Sequence, residues 1–319
     1  MQMKTFVIGN PTSANGKAGD YWPRVEKAIQ KKLGPHESVL TKRPGHAVTL
    51  AREALKKGFN RILVYGGDGT TNEVVNGLFE GGRPKNKRVI LGVVPTGTGG
   101  DFRRSLGLTG KVAQALDVIA RGHTEPVDVG WVRFQGNGGQ TEERHFINMT
   151  GIGLSGEIMR KVNAARQSKS FGSKFVFKWA AFTSMIGRKN QMMRLEIDGH
   201  APVYETACSL HVCNGRYAGG GMMFAPGAEL NDGLLDVVLL GDFKVFNFLV
   251  ESKALYRGDH IKNKKVQTFQ GKEIRISSES DVMLEIDGET PGVLPARFNV
   301  VEKALNVLCP PNFGRKTDS

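Results

Sequence analysis

Two glycine-rich segments contain the residue types that proteins use to bind phosphate. Residues 66–72 read GGDGTTN and residues 96–101 read TGTGGD, and each segment follows an apolar run that is typical of a buried strand. Glycine lets backbone N–H groups approach a ligand closely, and the first turn of a helix presents unpaired N–H groups and a positive dipole end to an anion. Both segments also fit a capping box, Thr70 with Glu73 and Thr98 with Asp101. Phosphate is the predicted ligand, and an ordinary strand-to-helix turn is the alternative for either segment alone.

A third loop strengthens the phosphate interpretation. It follows the first predicted strand and consists of Asn10, Pro11, Thr12, Ser13 and Ala14, which offer hydroxyl and amide groups. Loops after neighbouring strands of a parallel sheet emerge at the same edge, so three such loops are expected to face one ligand. Residues 9–18 lack the spacing of a Walker A loop, and no G-x-G-x-x-G follows the first strand. The sequence therefore predicts a nucleotide-binding site that is neither a Walker A loop nor a Rossmann G-x-G-x-x-G loop.

The elements that must position these loops alternate between strands and helices. Apolar runs predict strands at residues 3–9, 61–65 and 88–94. Helical patterns begin at residue 20 and cover residues 46–57, 71–80 and 111–121. Strands that alternate with helices at this spacing predict a parallel, layered α/β domain.

The second half of the chain has a different period. Apolar and polar residues alternate at 191–197, 204–212, 274–276 and 282–286, with Asp-Gly turns between such runs. Alternation with a period of two predicts antiparallel sheet. Two helical stretches, near 172–187 and 243–257, interrupt this mostly β domain.

Composition limits the partners and the compartment. The 319 residues include 44 Lys and Arg against 31 Asp and Glu, a net charge of +13, which favours anionic partners such as nucleotides or acidic membranes. No nucleic-acid-binding motif accompanies the charge, so nucleic acid is not an expected partner. The three cysteines form an odd, sparse set, which indicates a reducing compartment. No apolar run approaches the roughly 18 residues of a membrane span, so we expect a soluble, cytoplasmic protein.

Residues 158–195 suggest contact with a membrane surface. This stretch has nine basic residues, no acidic residue and several aromatic ones. A helix over residues 173–186 would combine aromatic surface with basic flanks, as interfacial helices do. The alternative is a helix whose aromatic residues pack on the sandwich and whose lysines are merely solvated.

The ordered motifs resemble the diacylglycerol kinase catalytic family, especially its bacterial lipid kinases. The motifs are GGDGTTNE, PTGTGGDF, NGRY followed by GGGM, APGA, DGLLD and DGE, and they cover nearly the whole chain. The resemblance implies a phosphofructokinase-like or NAD kinase-like α/β domain and a β-sandwich domain on either side of an ATP cleft. It assigns residues 1–126 to nucleotide binding and 127–300 to a lipid and metal domain, with 301–319 returning to the first domain.

The resemblance also implies site residues. The expected nucleotide contacts are Asn10, Pro11, Thr12, Ser13, Ala14, Thr41, Gly66, Gly67, Asp68, Gly69, Thr70, Thr71, Asn72, Thr98 and Asp101. Mg²⁺ would bind Asp232 and the backbone carbonyls of Glu229 and Leu234, and a carboxylate with carbonyls suits this cation. Glu289 is the expected proton acceptor, with Asp68 as its competitor for that role.

The function implied is transfer of the γ-phosphate of ATP to a lipid hydroxyl, with diacylglycerol to phosphatidic acid as the first choice. The enzyme would act at the inner membrane face, and a homodimer is left open. Gly100 stands where the family usually has asparagine. This difference leaves open a weakened membrane-associated protein that binds nucleotide. The GGDGT loop, which NAD kinases approximate, leaves open a soluble NAD kinase-like enzyme.

Overall fold

The computed structural model describes residues 3–96, 100–167, 179–180, 183–184, 187, 189–243, 253–311 and 313. In the first lobe the strands are β1 (Thr5–Gly9), β2 (His36–Leu40), β3 (Arg61–Gly66), β4 (Phe79–Glu80), β5 (Arg83–Pro84) and β6 (Ile90–Pro95). The helices of this lobe are α1 (Lys17–Leu33), α2 (His46–Lys56), α3 (Asp68–Leu78), α4 (Asp101–Ser105) and α5 (Val112–Arg121).

The first lobe is a parallel sheet between helices. Its strands lie in the order β6-β3-β1-β2, and every neighbouring pair is parallel. The residues of β1, β3 and β6 are almost all buried, whereas the edge strand β2 is only partly buried. The helices cover both faces with apolar stripes that include Ile29 and Leu50. This confirms the predicted layered α/β fold. Because the strands are parallel, the loops after β1, β3 and β6 leave the same edge of the sheet.

The second lobe is mostly antiparallel. Its elements are β7 (Thr124–Gly136), β8 (Thr141–Phe146), β9 (Met149–Gly153), α6 (Leu154–Gln167), β10 (Gln191–Ile197), β11 (Val203–Ala207), β12 (Ser209–Cys213), β13 (Tyr217–Ala218), β14 (Met222–Met223), β15 (Leu235–Leu240), β16 (Val266–Gly271), β17 (Glu273–Ser277), β18 (Met283–Ile286) and β19 (Glu289–Leu308). A short 3₁₀ helix spans Asp259–Lys262. The predicted mostly β lobe is confirmed.

Strand β19 joins the two lobes. It pairs antiparallel with β7, β17 and β18 in the second lobe, and its last residues, Asn306 and Val307, pair parallel with β6 in the first lobe. Apolar residues from both layers of the second lobe, such as Leu210, Val237 and Phe298, form its core. The sheet of one lobe therefore continues into the other.

The alternation at residues 204–212 does lie in antiparallel sheet, but it belongs to two strands and not to one. Strand β11 pairs with β10, whereas β12 pairs with β9 and β15. Cys208 lies between them, and its N–H donates to Leu240 O and Gly241 O. The apolar pattern continues across Cys208 because both strands are half or fully buried, so the change of partner leaves no local signal.

The two predicted helical stretches of the second lobe fall mainly outside the described residues. Within residues 172–187, helical structure is described at 179–180 and 183–184, and within residues 243–257 it is described at 253–257. Leu255 is buried and Tyr256 is exposed. Among the described residues, no helix is long and apolar enough to cross a membrane. Cys208, Cys213 and Cys309 are buried, and none of these three thiols forms a disulfide.

Candidate active site

The loops after β1 and β3 are joined by side-chain hydrogen bonds. Asn10 Nδ2 donates to Thr70 Oγ1 (3.0 Å), and Asn10 Oδ1 accepts from the N–H (3.0 Å) and hydroxyl (2.8 Å) of Thr12. Gly66 permits the close turn, because a Cβ there would lie 2.7 Å from Thr70 Cβ. The predicted Asn10–Ala14 and Gly66–Asn72 segments are thus brought together at the edge of the sheet. Thr41 lies beside them, since its N–H donates to Gly9 O (2.7 Å).

The predicted capping box at Thr70 and Glu73 is wrong. Helix α3 begins at Asp68, with Gly67 as its N-cap and no side-chain cap. Glu73 accepts instead from the N–H groups of Gly45 (2.9 Å) and Ala47 (3.1 Å) at the start of α2. The helix begins three residues earlier than predicted, and its N-cap residue is therefore a glycine. Glycine has no side chain that could accept from the first N–H groups of the helix.

Asp68 connects the first glycine loop to the second. Its carboxylate accepts from the N–H groups of Asp101 (2.7 Å) and Phe102 (3.2 Å) at the start of α4. Burial, followed by the negative charge of Asp101, raises the pKa of Asp68 to about 6, although its two N–H donors oppose the shift. In this structure Asp68 is the cap of α4.

Asp101 connects the second glycine loop to the second lobe. Its carboxylate accepts from Arg104 Nη1 (2.6 Å) and from the N–H of Gly220 (2.8 Å). Asp101 is 6% exposed, so these two bonds satisfy a buried charge. The partner in the predicted second capping box, Thr98, lies outside the described residues.

The turn between β18 and β19 lies against the start of α3. Asn72 Nδ2 donates to Asp287 Oδ2 (2.7 Å), and the Asp287 carboxylate also accepts from the N–H groups of Ile147 and Met149 (both 2.9 Å). Burial raises the pKa of Asp287 to about 6, and the charge of Asp68 adds to the shift. Glu289, the predicted proton acceptor, follows two residues later as the exposed first residue of β19.

The sequence analysis missed a buried acid beside this turn. Glu285 is 8% exposed, and one of its carboxyl oxygens accepts from the N–H of Gly288. Burial raises its pKa to about 8, and the charges of Asp287 and Glu289 act in the same direction. Side chains alternate along β18, so Glu285 and Met283 lie on the face opposite Leu284. Helix α6 covers the face that carries Glu285, and Gly156 of this helix lies close to Met283.

The predicted metal ligands lie in an acidic region of the second lobe. Asp232 Oδ1 accepts from the N–H of Leu234 (3.0 Å). Burial, and then the charge of Glu229, raises the pKa of Asp232. The pKa of Asp236 is raised to about 6 by burial, with Asp232 and Glu229 adding to the shift. Within the described part of the chain, no three His, Cys, Asp or Glu side chains form a metal cluster.

The carboxylate of Asp128 forms hydrogen bonds with backbone N–H groups of this region. Its carboxylate accepts from the N–H groups of Gly233 (2.7 Å) and Lys303 (2.6 Å), and its own N–H donates to Leu230 O. Asp128 therefore links strand β19 to the turn that contains Asp232.

Comparison with known proteins identifies the family. The diacylglycerol kinase catalytic domain matches residues 4–132, and the YegS C-terminal NAD kinase beta sandwich-like domain matches residues 148–309. Diacylglycerol kinases of Staphylococcus carnosus and Staphylococcus aureus are each 30% identical over 310 residues, which is 97% of this chain and 96% and 93% of theirs. A solved structure of a candidate diacylglycerol kinase from Bacillus anthracis aligns with a TM-score of 0.79 and 26% identity over 97% of this chain and 96% of that one. A yeast NADH kinase shares the fold alone (TM-score 0.51, 10% identity, 97% of this chain and 84% of that one).

Glycine-rich turns at the start of a helix, held beside a turn that bears carboxylates, are groups suited to the positioning and charge stabilisation that phosphotransferases need. The chain belongs to the diacylglycerol kinase catalytic family, and it is an ATP-dependent kinase.

Proposed function

We propose that the protein is a lipid kinase that phosphorylates diacylglycerol to phosphatidic acid. The observation that carries this proposal is the hydrogen bond between Asn72 and Asp287, which ties the phosphate-binding end of α3 to the turn that bears Glu289. A bound phosphate at α3 and an acceptor hydroxyl at Glu289 would then share one site. The names of the relatives support the choice of diacylglycerol.

The proposed reaction needs positioning, charge neutralisation and one base. The acceptor hydroxyl oxygen forms a bond to the γ-phosphorus, the bond from that phosphorus to the bridging oxygen of ADP breaks, and the hydroxyl proton passes to Glu289. The loops at Asn10–Ala14 and Gly66–Asn72, with Thr41, Thr98 and Asp101, bind and orient the nucleotide. Asp68 accepts from the N–H groups of Asp101 and Phe102 and so holds the start of α4 in place.

Mg²⁺ fits the acidic region around Asp232. The groups there are oxygen donors. Burial raises the pKa of Asp232 and of Asp236, and repulsion from Glu229 adds to the shift of each. A hard divalent cation relieves that repulsion. Asp232 and the backbone carbonyls of Glu229 and Leu234 would hold the ion, which supplies positive charge for the phosphates when it is bound.

We further propose that the enzyme works in the cytoplasm at the inner face of the membrane. The net charge of +13 favours an anionic surface. Trp179 (53% exposed), Tyr256 (55%) and Ile261 (39%) are apolar side chains open to solvent in the second lobe. The helix expected at residues 173–186 lies mostly outside the described residues.

The first experiment is a kinase assay with γ-labelled ATP and a panel of acceptors in vesicles. The panel contains diacylglycerol, a sphingoid base, phosphatidylglycerol and a polyprenol, with NAD as the soluble acceptor. We expect label in phosphatidic acid. Label in NAD alone would identify the NAD kinase-like alternative, and ATP binding without any labelled product would identify a weakened nucleotide-binding protein.

The role of Glu289 predicts a separation of binding from turnover. Glu289→Gln removes the proton acceptor but leaves the phosphate loops intact, so we expect kcat to fall by roughly 10²- to 10⁴-fold with an unchanged Kd for ATP. Glu279→Gln, at an exposed glutamate outside the site, is the matched control. Undiminished turnover of Glu289→Gln would refute the base role.

A further inference from the structure

The peptide groups on both sides of Gly288 are held by side chains of two different elements. The N–H of Gly288 donates to a carboxyl oxygen of Glu285 on β18. Its C=O accepts from Nδ2 of Asn163 on α6 (3.0 Å). Gly288 is the second residue of the Asp287-Gly288 turn, and Glu289 follows it directly. The last peptide group before Glu289 is therefore bonded to a helix that lies outside the β18–β19 hairpin.

These two hydrogen bonds restrict a residue that has little conformational preference of its own. Asp287 and Gly288 both have positive φ, +44° and +96°, as in a tight two-residue hairpin turn. Peptide groups are planar, so fixing the planes before and after Gly288 also fixes its two free torsions. The second of these planes ends at the Cα of Glu289. Its orientation therefore helps to set the direction in which the Glu289 side chain leaves the backbone.

The packing of α6 keeps Asn163 in place. Ile158 and Val162 lie four residues apart and are buried in an apolar cluster of the second lobe. Residues at this spacing share one face of a helix. Met159 and Asn163 form the neighbouring stripe, and the Met159 methyl carbon would lie 3.9 Å from a Cβ at Gly288. A helix that is anchored by one stripe thus holds the next stripe against the turn.

The chain contains a second Asp-Gly turn that lacks these bonds. Asp198 and Gly199 also have positive φ, +50° and +76°, and lie between β10 and β11. Among the residues that the structure describes, no side chain forms a hydrogen bond with the peptide groups of Gly199, and a Cβ there would meet nothing within 4 Å. A tight Asp-Gly turn therefore forms without such support, so the bonds to Gly288 exceed what the turn itself requires.

We propose, on the basis of the function proposed above, that Asn163 is a positioning residue for phosphoryl transfer and holds the Gly288 peptide so that the Glu289 carboxylate meets the acceptor hydroxyl. A general base must lie within hydrogen-bond reach of the proton that it takes. Asn163 belongs to the second lobe, whereas the expected nucleotide contacts belong to the first. Loss of the Asn163 amide should therefore lower kcat and leave the Kd for ATP unchanged.

The first test is a double-mutant cycle of wild type, Asn163→Leu, Glu289→Gln and the double variant, with the acceptor that takes the label in the panel above. Leucine has about the size of asparagine but no hydrogen-bond donor. In the wild-type background we expect Asn163→Leu to lower kcat about tenfold with an unchanged Kd for ATP. In the Glu289→Gln background we expect it to change the residual kcat less than about twofold, because no base is left to misplace. Equal losses of kcat in both backgrounds would overturn the proposal.

Asn306→Leu is the matched control. Asn306 is half-buried like Asn163, and its Nδ2 also donates to a backbone carbonyl, Lys87 O (3.1 Å). This bond lies at the start of β6, the end of the strand opposite the second glycine loop. We expect wild-type kcat from Asn306→Leu. Asn163→Ala removes the same amide without adding apolar bulk and should show the loss of Asn163→Leu, whereas wild-type kcat in this variant would overturn the proposal.

Hydrogen exchange separates this inference from the proposed function, because it needs no acceptor. Asn163→Leu should speed amide exchange in residues 287–290 and leave residues 198–201 unchanged, since only the first turn loses a hydrogen bond. Unchanged exchange at 287–290 would overturn the proposal whatever happens to kcat. Faster exchange there, combined with no labelled lipid from wild type, would refute the lipid kinase function and still support the hold of Asn163 on the turn.

Discussion

At the scale of single residues, the cleft is dominated by carboxyl groups that the fold holds away from water. Asp68 and Asp287 both use their oxygens to accept backbone N–H groups, and each has its pKa raised to about 6. Glu285 is the extreme case at about 8. Asp68 accepts from the start of α4, whereas Asp287 and Glu285 accept from backbone N–H groups at and near the turn that precedes Glu289, an exposed residue.

The raised pKa of Glu285 predicts a decline of stability with rising pH. The ordinary glutamate pKa is roughly 4.3, and the pKa of Glu285 in the folded chain is about 8. Between these two pH values the folded chain holds a proton that the unfolded chain has lost. The free energy of unfolding therefore falls as pH rises through this window. Glutamine can accept the same Gly288 hydrogen bond without titrating. The wild-type stability should fall relative to Glu285→Gln by about 1.4 kcal/mol per pH unit between roughly pH 5.5 and 7, and by about half as much per unit near pH 8.

Urea unfolding of both proteins at several pH values measures this difference. Glu279→Gln, at an exposed position, should track wild type at every pH. Parallel curves for wild type and Glu285→Gln would show that Glu285 is ionised in the folded protein.

Sequence reasoning could locate the glycine-rich loops but not their hydrogen bonds. The glycine spacing of residues 66–72 predicts close backbone approach, and Gly66 does lie against Thr70. Whether Asp68 caps α4 or binds a ligand depends on residues 33 and 34 positions away in the chain. Glu285 was missed for a similar reason, because its burial depends on the covering helix α6.

At the scale of elements, glycines allow large side chains to lie flat on neighbouring strands. Gly130 on β7 pairs directly with Phe146 on β8, and a Cβ at Gly130 would lie 2.1 Å from the Phe146 ring. Phe146 is fully buried and packs edge-on against Phe298, with ring centroids 6.3 Å apart. The absence of a side chain at Gly130 leaves the space that the Phe146 ring occupies in the core of the second lobe.

Gly130→Ala should therefore destabilise the protein. The added methyl group must push Phe146 off its rotamer, at a cost of about 1–3 kcal/mol. Gly138→Ala in the same β-hairpin is the control, because its Cβ would meet only the end of the flexible Gln140 side chain. Chemical denaturation compares the two, and equal stabilities would contradict the packing argument.

The spacing of apolar residues predicts a strand well where the whole apolar run pairs with the same neighbouring strands. The strands at 61–66 and 191–197 were found within a residue of their ends because their patterns and neighbours coincide. The stretch from 204 to 212 was not resolved into β11 and β12, because a change of sheet partner alters hydrogen bonds and not the apolar pattern. Strand β2 is only partly buried and lies at the sheet edge, so its pattern is weak.

At the scale of the whole molecule, β19 makes the lobes depend on each other. Phe298 belongs to the core of the second lobe and Leu305 to that of the first, and both are buried residues of this one strand. The lobes also share the hydrogen bonds from Asn72 to Asp287 and from Gly220 to Asp101. The domain boundaries at 126 and 300 stay a prediction, since β7 and β19 each run across one of them.

This continuity predicts one cooperative thermal transition. Phe298→Ala should cost about 3–5 kcal/mol and Leu305→Ala about 2–5 kcal/mol, because each leaves a cavity in a different lobe. In calorimetry both variants should move the same single peak to lower temperature, with a calorimetric enthalpy equal to the van't Hoff value. Two peaks, each moved by only one variant, would show lobes that unfold separately.

The same strand has a consequence for biosynthesis. Strand β6 gains its neighbour on one side only from Asn306 and Val307, which the ribosome adds more than two hundred residues after β6 itself. Until then the nascent α/β lobe presents an unpaired parallel edge rich in valine and leucine, the kind of surface that chaperones cover. The sheet of the first lobe is therefore completed only after the end of β19 has been translated.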